Sequence, residues 1–291
     1  MSLTKDYLAS SPRFAEALAV MARQLSVKFD ESPRLSRALV CHQRWLLTQA
    51  CFALYADHAL SGTGPGMTAS SLSDWVVSAG IASRNTAHHY VENLRSYRFI
   101  RIALNSGQRP LRYDICEQSL KAMHMWFEVN LAVLDHVDGG NRAERFHLQP
   151  DLLLRVQPEF ARRCIEEDAW REPSQRIGLL LWTECGALVM DHFLELAVRS
   201  SLKDGFYDLG VLNLPALAQR FLMSRTHLQR TLKKAEEHGC IARSGIQRGS
   251  RTLLSADFFQ EYCGWLAIKS AFLDAAFESA ISSTNMRAAC V

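Results

Sequence analysis

Two groups of side chains in this sequence could bond to an extended polar surface. Arg84, Asn85, His88 and Arg95 lie in SRNTAHHYVENLRS (83–96), and Arg225, Thr226, Gln229, Arg230 and Lys233 lie in SRTHLQRTLKKAEE (224–237). Arg and Gln each make two parallel hydrogen bonds, to the edges of guanine and adenine, whereas Thr and Lys more often position a protein on phosphates. Arg109, Arg248 and Arg251 follow in two glycine-containing stretches; Arg109 and Arg251 fall within one residue of aligned places and suit phosphates or an adjacent minor groove. The chemistry on offer is hydrogen bonding and charge neutralisation, with no covalent step.

Covalent and metal chemistry have little else to draw on. His88-His89 and Asp57-His58 have no third ligand at suggestive spacing and read as exposed polar residues. No G-x-x-x-x-G-K-[ST] occurs, and Gly62-x-Gly64-x-Gly66 reads as a flexible loop. The eight cysteines are scattered without a C-x-x-C pair, which is the usage of buried free thiols. No catalytic residue, metal or cofactor is expected, and the chain reads as a binding protein and not an enzyme.

The elements that must hold the polar groups can be read from pattern. In 213–254, Leu214, Leu217 and Ala218 mark a short helix and Phe221-Leu222-Met223 a turn. Ser224 is a good N-cap, because its hydroxyl accepts from a free first-turn amide. Leu228, Leu232 and Ala235 recur at helical spacing as an inward stripe, and Gly239 stands where a helix ends in a left-handed residue. Strand-like runs near Ile241 and Thr252–Leu254 flank a tip with Gly245 and Gly249. Residues 67–115 repeat the order. Leu72, Trp75 and Val76 make a short helix, Gly80-Ile81 a turn, and Ser83 caps a helix with Ala87, Val91 and Leu94 inward. Strands Ile100–Leu104 and Leu111–Ile115 then flank a tip at Ser106–Pro110. With the stripes inward, the polar groups named first face outward.

The two segments align at an offset of 141, setting Ser83-Arg84 on Ser224-Arg225 and Ile100 on Ile241. Repetition at half the chain length points to two copies of one fold. Charge follows the repeat. Residues 83–113 carry six arginines against Glu92, and 224–251 carry five arginines and two lysines against Glu236 and Glu237, so each window is +5. The whole chain is +3, which leaves the remainder acidic at −7. Local cation density of this kind displaces counterions from phosphates, and overall pI is a poorer guide.

At 291 residues and 48% apolar content the chain is long enough for two cores. We expect a first unit over 1–140 and a second over 141–291, joined at Asp138-Gly139-Gly140-Asn141. Further helices are expected over 13–29, 34–60, 117–136, 151–169, 175–202 and 256–282. His124, Met125, Trp126 and Phe127 look like core packing on such a helix, where a small effector could also bind. The N-terminus lacks a signal-peptide pattern, and no apolar run approaches the roughly 20 residues of a membrane span, so a cytoplasmic location is expected.

On S-R-x-T-A-x-x-x-V-x-x-L at 83–94 and S-R-T-H-L-x-x-x-L-x-x-A at 224–235, each followed by an arginine-bearing hairpin, the chain resembles the MarR-type winged helix-turn-helix regulators. It departs from them in lacking the acidic residue before the wing arginine and in placing Arg98 where a post-helix glycine is expected. The resemblance implies a mainly α fold with small β-hairpin wings, tandem in one chain, and double-stranded DNA as partner. A small-molecule effector could sit between the domains. Because that family dimerises through terminal helices, one chain is expected to act as a pseudo-dimer, or to pair as a homodimer. Its reading helices would stand about one DNA turn, roughly 34 Å, apart. The unlike outward sets favour an imperfect palindrome. Two rivals remain open: a plasmid-type replication initiator with tandem winged helices, and a winged-helix scaffold that binds protein only.

Overall fold

A computed structural model gives the fold and describes residues 2–31, 40–104, 110–245 and 249–289, with side chains as far as Ser283. The chain is mainly helical with small antiparallel sheets. It divides by contacts into two compact units, neither continuous in sequence. One comprises Met1–Leu3, Gln43–Arg171 and Lys269–Val291, the other Thr4–His42 and Glu172–Ile268. This grouping departs from the division at 140/141, and local packing gives the reason for each departure.

In the first unit, α3 (His42–Ser61) ends at the glycine loop as its composition dictates. Its start is later than the expected residue 34: Val40 and Cys41 are not helical, and 34–39 lie outside the described residues. Trp45 on α3 is the centre of an aromatic cluster, with ring centroids 5.9 Å from Trp126, 6.0 Å from Phe160 and 5.4 Å from Trp170. Trp126 sits on α6 (Glu117–Asp138), Phe160 on α8 (Leu152–Glu166) and Trp170 on α9 (Asp168–Arg171). Between α6 and α8 lies α7 (Arg142–Leu148). The expected linker at 138–141 is a built corner between α6 and α7. Gly139 is left-handed at φ 76°, and Arg142 donates to Asp138, Asp135 and Asp274. Asp135 in turn accepts from the backbone N–H groups of Arg142 and Ala143, the first free amides of α7. A flexible joint would leave these groups to water, whereas here Asp274 is wholly buried.

The same unit holds α4 (Ala69–Ser78), α5 (Arg84–Ser96) and the hairpin β1 (Ile100–Ile102) and β2 (Tyr113–Ile115). Ile100 pairs with Ile115 and Ile102 with Tyr113. Met67–Thr68, just before α4, bonds to β2 and the residue before it, through Tyr113 N–H to Met67 O at 2.8 Å and a bridge from Thr68 to Arg112.

In the second unit, α1 (Lys5–Ser10) leads into α2 (Pro12–Glu31), which buries Phe14, Leu18, Met21 and Phe29 as its periodicity predicts. Its partner is α11 (Gly186–Val198). The single helix expected over 175–202 is in fact two, α10 (Gln175–Leu181) and α11, bent by 113°. Cys185 adopts a left-handed φ of 60°, and a side chain on Gly186 would come within 1.9 Å of Leu180 O, so the chain can turn there only without a Cβ. Asp204-Gly205 is the turn of a small hairpin, β3 (Leu202–Lys203) and β4 (Phe206–Asp208). There follow α12 (Leu214–Arg220), α13 (Arg225–Glu237), β5 (Ile241–Ser244) and β6 (Arg251–Ser255) in a sheet of order β3-β4-β6-β5. The last helix, α14 (Ala256–Ala289), supplies residues to both units. No single described helix is long and apolar enough to cross a membrane. Seven cysteines are described as free, five of them buried, and burial pushes the Cys263 thiol up to about 12.

Candidate nucleic-acid interface

Both second helices are built alike from the cap onward. Ser83 Oγ accepts from Thr86 N–H at 3.2 Å, and Ser224 Oγ accepts from His227 N–H at 3.1 Å, each satisfying one free amide of the first turn. Ala87, Val91 and Leu94 are buried on α5, and Leu228, Leu232 and Ala235 on α13. Tyr90 and Thr231 are also buried. Both fill the i+3 position beside the i+4 residue of each stripe, a spacing that could have found them. Tyr90 earns its place by a 2.6 Å hydroxyl contact with Thr48 on α3.

Both helices end the same way. Arg98 and Gly239 each follow the last turn with positive φ, 58° and 66°. Phe99 N–H then closes on Leu94 O, and Cys240 N–H on Ala235 O, both at 2.8 Å. Arg98 therefore does glycine's work, at a backbone cost of about 1 kcal/mol.

The outward residues stand where helical geometry puts them. Arg84, Asn85, His88 and Arg95 on α5 are exposed, and so are Arg225, Thr226, Gln229, Arg230 and Lys233 on α13. Their electrostatic surroundings differ. Arg84 lies 3.1 Å from Asp74 on α4, and Arg95 lies 3.6 Å from Glu92. On α13, Lys233 is 3.8 Å from Glu237, while Arg225 and Arg230 meet no carboxylate among the described residues. Such exposed pairs add little stability. They do decide which cations are free for a polyanion.

In the hairpins, Arg251 is exposed and its Nε donates to Asp208 Oδ2 at 2.7 Å, while Arg243 lies 3.6 Å from Glu236. That bond, followed by one from Gly210 N–H, holds the Asp208 carboxyl below the usual carboxylate range. Asp208 precedes α12 and joins the hairpin from outside it, so an acidic partner of the arginine exists where hairpin sequence alone showed none. Arg109 and Arg248 lie outside the described residues.

Other expected features have simple places. His124 stacks on Phe146 at 4.5 Å and Phe127 is fully buried, in keeping with core packing. Two recesses lie within single units. One of about 300 Å³ is lined by Tyr55, His58, Arg101, Arg112 and Asp114, and one of about 190 Å³ by His192, Asn213 and Arg220. Among the described residues no cluster of three or more His, Cys, Asp or Glu is arranged to hold a metal ion.

Comparison of the chain with protein-family models, curated proteins and solved structures finds no match in any of the three.

Proposed function

We propose that the chain is a sequence-specific double-stranded DNA-binding protein, not an enzyme, that reads DNA through two winged helix-turn-helix elements and regulates transcription in the manner of the MarR-like proteins it resembles. The observation that carries this reading is the outer face of α13. Arg225, Thr226, Gln229, Arg230 and Lys233 are all exposed on a helix whose opposite face is buried, and its two arginines meet no described carboxylate. A major groove about 12 Å wide admits one helix. Arg225 and Gln229 are four residues apart and share a stripe, as do Thr226 and Arg230, so each pair can address neighbouring base steps. Arg225 and Arg230 suit guanine, Gln229 suits adenine, and Thr226 and Lys233 suit phosphates.

The α5 face offers Asn85 and His88, with both its arginines shared with carboxylates. We therefore expect unlike half-sites, with the α13 half dominating affinity and one chain serving both as a pseudo-dimer. Selection of bound duplexes from a random pool at fixed salt should return an imperfect palindrome. A perfect inverted repeat bound by two chains would overturn the single-chain reading. Iterated direct repeats with strand melting would select the replication-initiator reading. If Arg84, Arg225 and Arg230 changed together to Ala left affinity and its salt slope untouched, the protein would be a scaffold.

A further inference from the structure

The described strands of the two hairpins carry different chemistry. In the second, the ladder ends with Arg243 opposite Thr252 and Ser244 opposite Arg251. In the first, Ile100↔Ile115 and Ile102↔Tyr113 share one face, and the same register carried two residues further sets Leu104 opposite Leu111. Exposure climbs along this apolar face, from 3% at Ile100 through 44% at Ile102 to 95% at Leu104. An isolated exposed leucine means little by itself. Here it is the last member of an apolar row that leaves the core and ends in solvent.

The flanking charge identifies the occupant. Arg98 and Arg101 are exposed beside the row, and residues 95–115 contain five arginines against a single acid, Asp114, which stands across the ladder from Arg101. An aliphatic end to the row, set in net positive charge, matches a groove with anionic rims and an apolar interior. The DNA minor groove is such a place, because phosphates line it and its stacked base steps admit Leu or Ile as a wedge.

Resting on the DNA-binding reading above, we propose that Leu104 enters the minor groove beside the α5 contact, parts two stacked base pairs and kinks the duplex. The second hairpin, whose strands carry Arg243 and Arg251, grips without kinking. The protein is then a DNA bender at one half-site only.

The test uses the full chain and an end-labelled duplex carrying its selected site. Bend is read by energy transfer between the ends, and unstacking by 2-aminopurine placed at each step. Wild type should kink the duplex by roughly 20–90°. Leu104→Ala should return energy transfer towards that of free DNA and weaken binding about tenfold. Its salt slope should not change, because no phosphate contact is lost. Leu104→Met, still a flexible apolar wedge, should keep the kink.

Equal bending by wild type and Leu104→Ala would overturn the proposal. So would a Leu104-dependent affinity for phosphatidylserine vesicles, or for a second copy of the chain, with DNA bending unaffected by the substitution. Wild type that binds its site without bending it defeats the wedge alone. Failure to bind any duplex defeats the DNA-binding reading as well.

Discussion

Asp208 and Arg251, 43 residues apart, are joined at 2.7 Å by a hydrogen bond from the arginine Nε to the carboxylate. Each lies on a neighbouring strand of one sheet, and the bond fixes the direction in which the guanidinium can reach. Asp208→Ala frees Arg251 without removing a cation. Binding to a selected site should fall about tenfold while binding to random duplex holds or rises, as measured by competition at constant salt. Because the folded carboxyl titrates low, the bond should be fully present above about pH 3.9 and lost only as pH falls through that lower native value. The Asp208 carboxyl shift in an NMR titration reads this directly.

The unequal surroundings of the outward arginines predict unequal effects. Arg225→Ala and Arg230→Ala should each cost about 1–3 kcal/mol where the side chain reads a base, with relaxed specificity at one position. Where it meets a phosphate, the loss should be uniform across sequences and the salt slope should drop by about 0.9. Arg84→Ala should cost less, because Asp74 competes for that guanidinium. Anisotropy titrations over a salt series separate the cases.

Arg142 satisfies three carboxylates, one of them wholly buried on Asp274. Arg142→Ala leaves them uncompensated and should destabilise the fold by about 3–5 kcal/mol in denaturant unfolding. The arginine's hydrogen bonds hold Asp138 below the ordinary carboxylate range. That contribution is intact above pH ~3.9 and disappears as pH passes the native value, so the variant should show a shallower acid limb of stability.

Glycine positions give opposite signs. Gly186→Ala drives a Cβ against Leu180 O and should cost about 3 kcal/mol or more. Gly264→Ala, inside α14 where a Cβ meets nothing within 4 Å, should stabilise by up to about 1 kcal/mol. Arg98→Gly should stabilise by about 0.5–1 kcal/mol by relieving a left-handed arginine. Thermal melts at matched concentration check all three.

Caps and stripes made α5 and α13 legible, because Ser83, Ser224 and the apolar spacing act within one helix. The outward residues followed from the stripes by geometry. What escaped depended on partners distant in sequence. β4 is three residues without alternation, and it exists because β6 bonds to it. Asp74 and Asp208 lie outside the helices and hairpins whose arginines they hold. The break at Trp182–Cys185 is marked in an apolar stretch by Thr183 and Glu184 alone, and the close approach of Gly186 to Leu180 that sets the bend is a tertiary fact. Asp138–Asn141 has the composition of a linker, and only its contacts to Arg142 and Asp274 make it a corner.

The pairing of α2 with α11 has a consequence for synthesis. Arg23 on α2 bonds to Glu195 on α11, 172 residues later. At about 5–20 residues per second, α2 leaves the ribosome roughly 10–30 s before the surface it needs has been made. During that interval Phe14, Leu18, Met21 and Phe29 have no native cover. The nascent chain is thus a timed client for whatever shields apolar helices at the exit tunnel, and slowing translation should lengthen the exposure.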